Sequence, residues 1–277
     1  SKVAIEHKIK RGNYIDIIEK LRQHILRGDC YEINFCQEFF AEDTEIDPSY
    51  IYSRLIELSP NPFSVFYKLN NRYCLCASPE RYLKKEGNKI ISQPIKGTSK
   101  RNLENEEEDA QTKNYLIGSE KEKSENVMVV DLVRNDLSKI CRAGTVQVDE
   151  LFGIYSFPQV HQMISTIIGE LEEDKDWIDC VQATFPMGSM TGAPKKKVME
   201  LIEQYEQTKR GLFSGAIGYV KPSGDFDFNV VIRSILYNEM NRYISFQTGG
   251  GITYSSNPVL EYNESLLKAA AMMKVLE

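Results

Sequence analysis

Strand-like runs in this chain come as close pairs joined by turn residues, and that pairing most limits what it can fold into. Residues 63–68 and 72–77 flank Leu69-Asn70-Asn71; residues 81–85 and 89–92 flank Glu86-Gly87-Asn88. Turns this short join antiparallel neighbours, because a parallel pair needs a long crossover. Period-2 patterning predicts further strands at 31–40, 145–150, 160–170, 215–220, 225–237 and 242–248. Helical spacing predicts helices at 13–27, 48–58, 120–140, 177–184, 194–205 and 258–276. Asn13 reads as the cap of the first helix, Ile17, Leu21 and Ile25 as its buried face, and Gly28 as its stop. In the helix at 120–140, Val127, Val130 and Leu137 are expected to point inward. Residues 102–119 read as a charge-dense helix or loop whose acidic run, 104–109, is a solvated face. Antiparallel hairpins with interspersed helices give an α+β fold class.

The 277 residues suffice for one large domain or two intimate ones, and no linker composition divides them. A formal net charge of −6 argues against a nucleic-acid partner. No apolar run reaches membrane-spanning length and no signal peptide is visible, so a cytoplasmic location is expected. The six cysteines are scattered, and few histidines accompany them. Reduced, buried thiols are the expected state, and a zinc site is not. The chain opens at Ser1 without Met, which reads as a fragment, a processed chain or a shortened form.

Several segments carry chemistry only as a set. Residues 78–81 read Ser-Pro-Glu-Arg, 94–98 read Pro-Ile-Lys-Gly-Thr, and 125–136 run from Glu125-Asn126 to Arg134-Asn135-Asp136. His161 and Ser165 follow, then Phe185-Pro186, Gly192-Ala193-Pro194-Lys195, Ile232-Arg233, Gly249-Gly250-Gly251, and Pro258 with Glu261, Glu264 and Lys268. In this order they resemble the chorismate-utilising enzymes, from about Gly12 to the C-terminus. Lys96 at the centre of its motif, and Asn126 after Glu125, resemble the aminodeoxychorismate synthase component I branch of para-aminobenzoate and folate biosynthesis. The resemblance implies one chorismate-binding catalytic domain over 1–277, with the family's N-terminal region short or missing. It implies two antiparallel-rich sheets packed face to face, helices outside, and an active site in the cleft between them. In relatives that N-terminal region helps to form a tryptophan-binding regulatory pocket.

Lys96 sits at the predicted end of a strand, where the chain turns at Gly97, a setting that exposes an amine on a rigid backbone. Taken alone it is equally a solvated surface charge. Glu80 matches the family's general acid, which must be protonated near neutrality to act. Together the two imply attack by Lys96 on ring carbon C2 and protonation of the departing C4 hydroxyl by Glu80; an inert Glu–Lys pair is the alternative. Glu261 and Glu264 share a helical face, and Glu125 opens another helix. Three converging carboxylates repel unless a cation joins them, and an all-oxygen set suits Mg2+. The family holds such a Mg2+ against the substrate's ring carboxylate. A pair of surface glutamates is the plain alternative.

Lys268 lies four residues after Glu264, and Arg233, read as a strand residue, offers a fork for a carboxylate. Gly249, Gly250 and Gly251 would let a carboxylate approach closely, or form only a mobile turn. His161 is implied to be a catalytic residue that orients substrate, although a lone strand histidine is usually structural. Ser189 and Thr191, read as lying at a helix N-terminus, and Thr98 are implied substrate contacts; Lys195 and Arg134-Asn135-Asp136 read as surface and structural. Asn257, Gln93 and Phe213 depart from the family's usual residues. The implied reaction is amination of chorismate at C4, with ammonia from a separate glutamine amidotransferase subunit. Anthranilate or isochorismate synthase activity, or a non-catalytic chorismate- or tryptophan-binding module, are the alternatives.

Overall fold

The computed structural model describes residues 3–277. From the N-terminus run strand β1 (Glu6–His7), helix α1 (Arg11–Leu26), β2 (Glu32–Ala41), α2 (Pro48–Leu58) and the hairpin β3 (Phe63–Leu69) with β4 (Arg72–Ser78). Next come the hairpin β5 (Arg81–Glu86) with β6 (Lys89–Gln93), β7 (Ile95–Lys100), α3 (Glu106–Gly118), α4 (Glu120–Leu137), β8 (Gln147–Ser156) and β9 (Val160–Glu170). Then α5 (Trp177–Thr184), a 3-10 turn (Gly188–Met190), β10 (Gly192–Ala193) and α6 (Lys195–Tyr205) follow. The chain closes with β11 (Gly218–Val220), β12 (Phe226–Asn229), β13 (Ser234–Asn238), β14 (Tyr243–Ile252) and α7 (Pro258–Val275).

The chain forms two compact units, each built on a seven-stranded antiparallel sheet. One comprises the chain up to Pro79, Thr191–Gly215 and Val231–Glu277; the other comprises Glu80–Met190 and Ala216–Val230. The α+β class read from the hairpins is the one observed.

In the first unit the strand order is β1-β2-β14-β13-β4-β3, with β10 added on β2. Ile33, Phe35, Phe39 and Ala41 of β2 point into two apolar clusters. Phe39 stacks on Phe246, 5.2 Å between centroids, among Leu55 of α2, Leu75 of β4 and Met272 of α7. Ile33 and Phe35 pack with Tyr14 and Leu21 of α1, Leu201 of α6 and Tyr262 of α7. The helices that cover this face are capped where turn chemistry predicts. Asp47 accepts from the N–H groups of Ser49 and Tyr50, and Asn257 from those of Val259 and Leu260, each before a proline at the first helical position.

A buried ion pair ties the segment after α6 to β2. Arg210 donates to Glu206 through Nε and Nη2, at 2.9 and 2.6 Å, and to the Asn34 carbonyl at 2.9 Å. Glu206 in turn accepts from the Cys36 N–H at 2.9 Å.

In the second unit the order is β11-β12-β5-β6-β9-β7, with β8 also on β9. α4 packs across β7, β8 and β9, burying Val129, Val130, Val133 and Leu137. Its Asn126 is fully buried and accepts the Ser165 hydroxyl of β9 at 2.6 Å.

Several boundaries differ from expectation. Helix α1 starts at Arg11, with Lys10 at the cap position, so Asn13 lies inside the first turn. Val127 is exposed; Val129 and Val133 take the inward places with Val130. The single strand expected at 225–237 is two: β12 pairs with β5 in one sheet, and β13 with β4 in the other. Periodicity runs through the break, but Arg233 turns the backbone into the left-handed region at φ 50°. The strand expected at 242–248 continues through Gly249, Gly250 and Gly251, which pair with Cys36, Phe35 and Asn34, so the glycines are ladder and not a turn. All six cysteines are buried and free, as expected. Among the described residues no helix is long and apolar enough to cross a membrane.

Removing one partner of the Arg210–Glu206 pair strands a buried charge. Arg210→Met is expected to cost about 3–5 kcal/mol in chemical denaturation, and the double change Arg210→Met, Glu206→Met to recover most of that loss.

Candidate active site

Glu80 occupies the turn between β4 and β5 and is 4 % exposed. Burial pushes its carboxyl up to about 7, against the Ser189 hydroxyl bond, the Lys96 charge and a bond from the Ile95 N–H, which all favour the carboxylate. A carboxyl poised there is half protonated near neutrality and can both give and take a proton. The structure therefore brings together Glu80, Lys96 and Ser189.

Lys96 was expected just past a strand end. It lies inside β7, where the pairing with β9 slips between Ile95 and Thr98, so Lys96 and Gly97 form a bulge. Gly97 has φ 94°, a conformation that disfavours any side chain, and a Cβ there would lie 3.0 Å from Leu116 and 3.1 Å from the Glu122 carboxylate. The bulge thus packs directly on the start of α4. Thr98 is exposed and faces Gln162 across the ladder.

Ser189 and Thr191 do not stand at a helix N-terminus. Ser189 is buried in the 3-10 turn, with Glu80 as its partner, and α6 begins only at Lys195. Thr191 is buried ahead of β10, and its carbonyl accepts the Asn34 N–H at 2.7 Å.

His161 is buried on β9 with both ring nitrogens engaged. Nδ1 meets the Ser156 hydroxyl at 2.8 Å and Nε2 meets Asp109 Oδ1 at 3.2 Å. A carboxylate only accepts, so Nε2 carries the proton. Asp109 belongs to the acidic run read as a solvated face, and there the reading fails for this one residue. Arg101 grips its carboxylate and, with the Asn102 N–H and His161, holds it down at about 2. Glu125 is buried on α4, with Lys121 at 3.8 Å. Of the Arg134-Asn135-Asp136 group, Arg134 pairs with Asp131 of its own helix, whereas Asp136 is buried and pairs with Lys139.

In the first unit, α7 lays three side chains over β14. A Cβ placed on Gly250 would lie 3.4 Å from Glu261 Oε2, 3.7 Å from Glu264 Oε1 and 3.8 Å from Lys268 Nζ. Lys268 bridges Glu264, at 2.8 Å, to the Gly249 carbonyl, also at 2.8 Å. Two carboxylates and an ammonium therefore converge over Gly250, within contact distance of where a Cβ would stand. Among the described residues no three His, Cys, Asp or Glu side chains stand in metal-ligating geometry. The two carboxylates over Gly250 could supply a hard, all-oxygen donor pair of the kind Mg2+ takes.

Arg233 lies between β12 and β13, not within a strand. Partial burial lowers the pKa of its guanidinium, and among the described residues no charge partner offsets the cost. A guanidinium so placed could take an anion through a two-point contact.

Sequence reasoning missed three groups. Tyr14 of α1 is fully buried, its hydroxyl has no hydrogen-bond partner among the described residues, and burial, then the charge of Glu261, hold its proton on. Its position on the buried face of α1 marked it only as core. Glu122 stands one turn before Glu125, the same spacing that drew attention to Glu261 and Glu264. Asp109 was hidden among neighbouring acids.

A profile of chorismate binding enzymes matches residues 1–274. Aminodeoxychorismate synthase component 1 of Bacillus subtilis is 39% identical over 260 residues, covering 94% of this chain and 54% of that protein. Anthranilate synthase component 1 of Aquifex aeolicus is 35% identical over 267 residues, covering 96% of this chain and 53% of that one. The crystal structure of anthranilate synthase component I from Streptococcus pneumoniae superposes with a TM-score of 0.88 at 32% identity, covering 99% of this chain and 60% of that one. The chain spans about half the length of the curated relatives it matches. With that match over nearly its whole length, the chain belongs to the chorismate binding enzyme family.

Proposed function

We propose that this chain is the chorismate-aminating component of an aminodeoxychorismate synthase, forming 4-amino-4-deoxychorismate from chorismate and ammonia for para-aminobenzoate and folate biosynthesis. The observation that carries the reading is a buried, proton-holding Glu80 within reach of the charge of Lys96, which stands in a β-bulge. The Lys96 amine, in its neutral form, attacks C2 of the ring. The double bond shifts, and the C4 hydroxyl leaves as water with the proton from Glu80. Ammonia then bonds to C4, the electrons shift back, and the C2–N bond to Lys96 breaks. The new ammonium group returns a proton to Glu80, so the enzyme ends as it began.

Arg233 is assigned to a substrate carboxylate, with Thr98, Thr191 and the backbone of Gly249, Gly250 and Gly251 as further contacts. Ser189 orients Glu80. His161, held by Asp109 and Ser156, presents a fixed ring edge. Glu125, Glu261 and Glu264 are assigned to Mg2+, which when bound supplies positive charge to the ring carboxylate, and Lys268 keeps Glu264 in place. A glutamine amidotransferase subunit is the proposed ammonia source. Relatives bearing the name anthranilate synthase, at 35% and 37% identity, keep amination at C2 with aromatisation as the second reading.

The product decides. Chorismate, Mg2+ and ammonium at high pH should yield a product that an added aminodeoxychorismate lyase converts to para-aminobenzoate. Lys96→Ala should lower that rate at least a hundredfold. Anthranilate as the product, or normal C4 amination by Lys96→Ala, would refute the assignment.

Glu80 also predicts a pH dependence of stability. Its folded-state value, about 7, lies above the ordinary carboxyl value of 4.5, so the native state holds the proton more tightly than the unfolded chain. The contribution is complete below pH ~4.5 and is lost as pH rises through ~7, by roughly 3 kcal/mol. Denaturation of Glu80→Gln should lack that decline, making the variant more stable than the parent at pH 8.

A further inference from the structure

Glu80 directly precedes β5 and Lys96 lies in β7, two strands of one sheet, yet neither residue sits in a regular ladder. The β5–β6 register slips between Arg81 and Lys84, and the β7–β9 register slips between Ile95 and Thr98. Bulged strands bend and lose ladder bonds, so side chains must fix what the backbone leaves loose. One aligned pair remains beside both residues, Arg81 opposite Gln93. Arg81 follows Glu80 directly, and only Pro94 and Ile95 separate Gln93 from Lys96.

The side chains of that pair are bonded. Arg81 Nη1 donates to Gln93 Oε1 at 2.5 Å. Arg81 Nε and Nη2 fork onto Asp227 of β12 at 3.0 and 3.1 Å, and Gln93 Nε2 donates to the Thr166 hydroxyl of β9 at 3.1 Å. The chain Asp227–Arg81–Gln93–Thr166 therefore crosses β12, β5, β6 and β9. Backbone bonds follow the same line, because the Glu80 carbonyl accepts the Val230 N–H at 3.1 Å, one residue beyond β12. A two-point arginine–carboxylate contact sets the guanidinium plane. An amide that accepts on one side and donates on the other has one orientation. Gln93 is also neutral, so it fixes position without adding charge near the Lys96 amine.

We propose that Arg81 and Gln93 are positioning residues whose bond sets the spacing between the turn that presents Glu80 and the bulge that presents Lys96. This rests on the functional reading above. A sheet-stabilising role alone would make the same bonds, and the two differ in what their loss changes.

The test compares Gln93→Leu, which removes both bonds at similar volume, with Gln93→Glu, which keeps an acceptor for Arg81 and can accept the Thr166 hydroxyl. Gln93→Leu should lower kcat for C4 amination by ~10- to 100-fold with KM for chorismate within threefold, since small misplacements of reacting groups act on the chemical step. Gln93→Glu should restore at least a third of the parent kcat at its own optimum pH. Infrared difference spectra against Glu80→Gln, which follow the Glu80 carboxyl through its titration, should show its midpoint displaced in Gln93→Leu; Lys96 is the charged side chain that bears on it. An unchanged kcat with an unchanged midpoint would overturn the proposal. So would a loss of kcat matched by a fall in melting temperature with the midpoint unmoved. If the parent chain gives no aminated product, the functional reading fails, and the infrared midpoint alone still decides whether Gln93 positions Glu80.

Discussion

Burial of one carboxyl, Glu80, is the constraint around which the second unit is arranged. An ionised carboxylate in that place would be costly, and a permanently neutral one could not recycle a proton. Three contacts bring the two forms near balance: the Ser189 hydroxyl, the Ile95 N–H and the Lys96 charge. Each depends on backbone that is not regular. Ser189 sits in a 3-10 turn, Ile95 begins a strand that bulges at once, and Lys96 is in the bulge. The regular parts of the sheet and the α4 cover hold these irregular parts in place, a common way for a stable scaffold to carry strained, useful backbone.

The first unit answers a different electrostatic problem. It places two carboxylates and an ammonium over Gly250, and among the described residues it gives the Arg233 guanidinium no charge partner that raises its pKa. Lys268 pairs with Glu264 in the first of these arrangements. Under the proposed function, a doubly anionic substrate together with Mg2+ is what these two arrangements would receive. Arg210 and Glu206, by contrast, satisfy each other and hold β2, the strand that pairs with the glycines of β14.

Much of this was legible in the sequence because it depends on local pattern. Hairpins at Asn70 and Gly87, the Asp47 and Asn257 helix starts, and the spacing of Glu261, Glu264 and Lys268 follow from turn chemistry and helical period. What was not legible depends on single backbone dihedrals or on partners distant in sequence. Nothing in the run from Phe226 to Tyr237 announces the left-handed Arg233 that divides it between sheets. Asp109 is one acid among five neighbours until His161, 52 residues away, selects it. The Gly249-Gly250-Gly251 run looks like a turn, and only its pairing with β2 shows why Gly249 excludes a side chain, since a Cβ there would lie 2.3 Å from the Phe35 carbonyl oxygen. Gln93 stood out as a departure from the family pattern, but its partners Arg81 and Thr166 give it a purpose.

The central claim is that Lys96 bonds to the substrate. The direct measurement is peptide mass mapping after incubation with chorismate and Mg2+ and without ammonia. The account predicts that the peptide containing Lys96 gains the mass of chorismate less one water, and that Glu80→Gln suppresses the gain. No adduct on that peptide, while the same preparation aminates chorismate at C4 once ammonia is added, would contradict it.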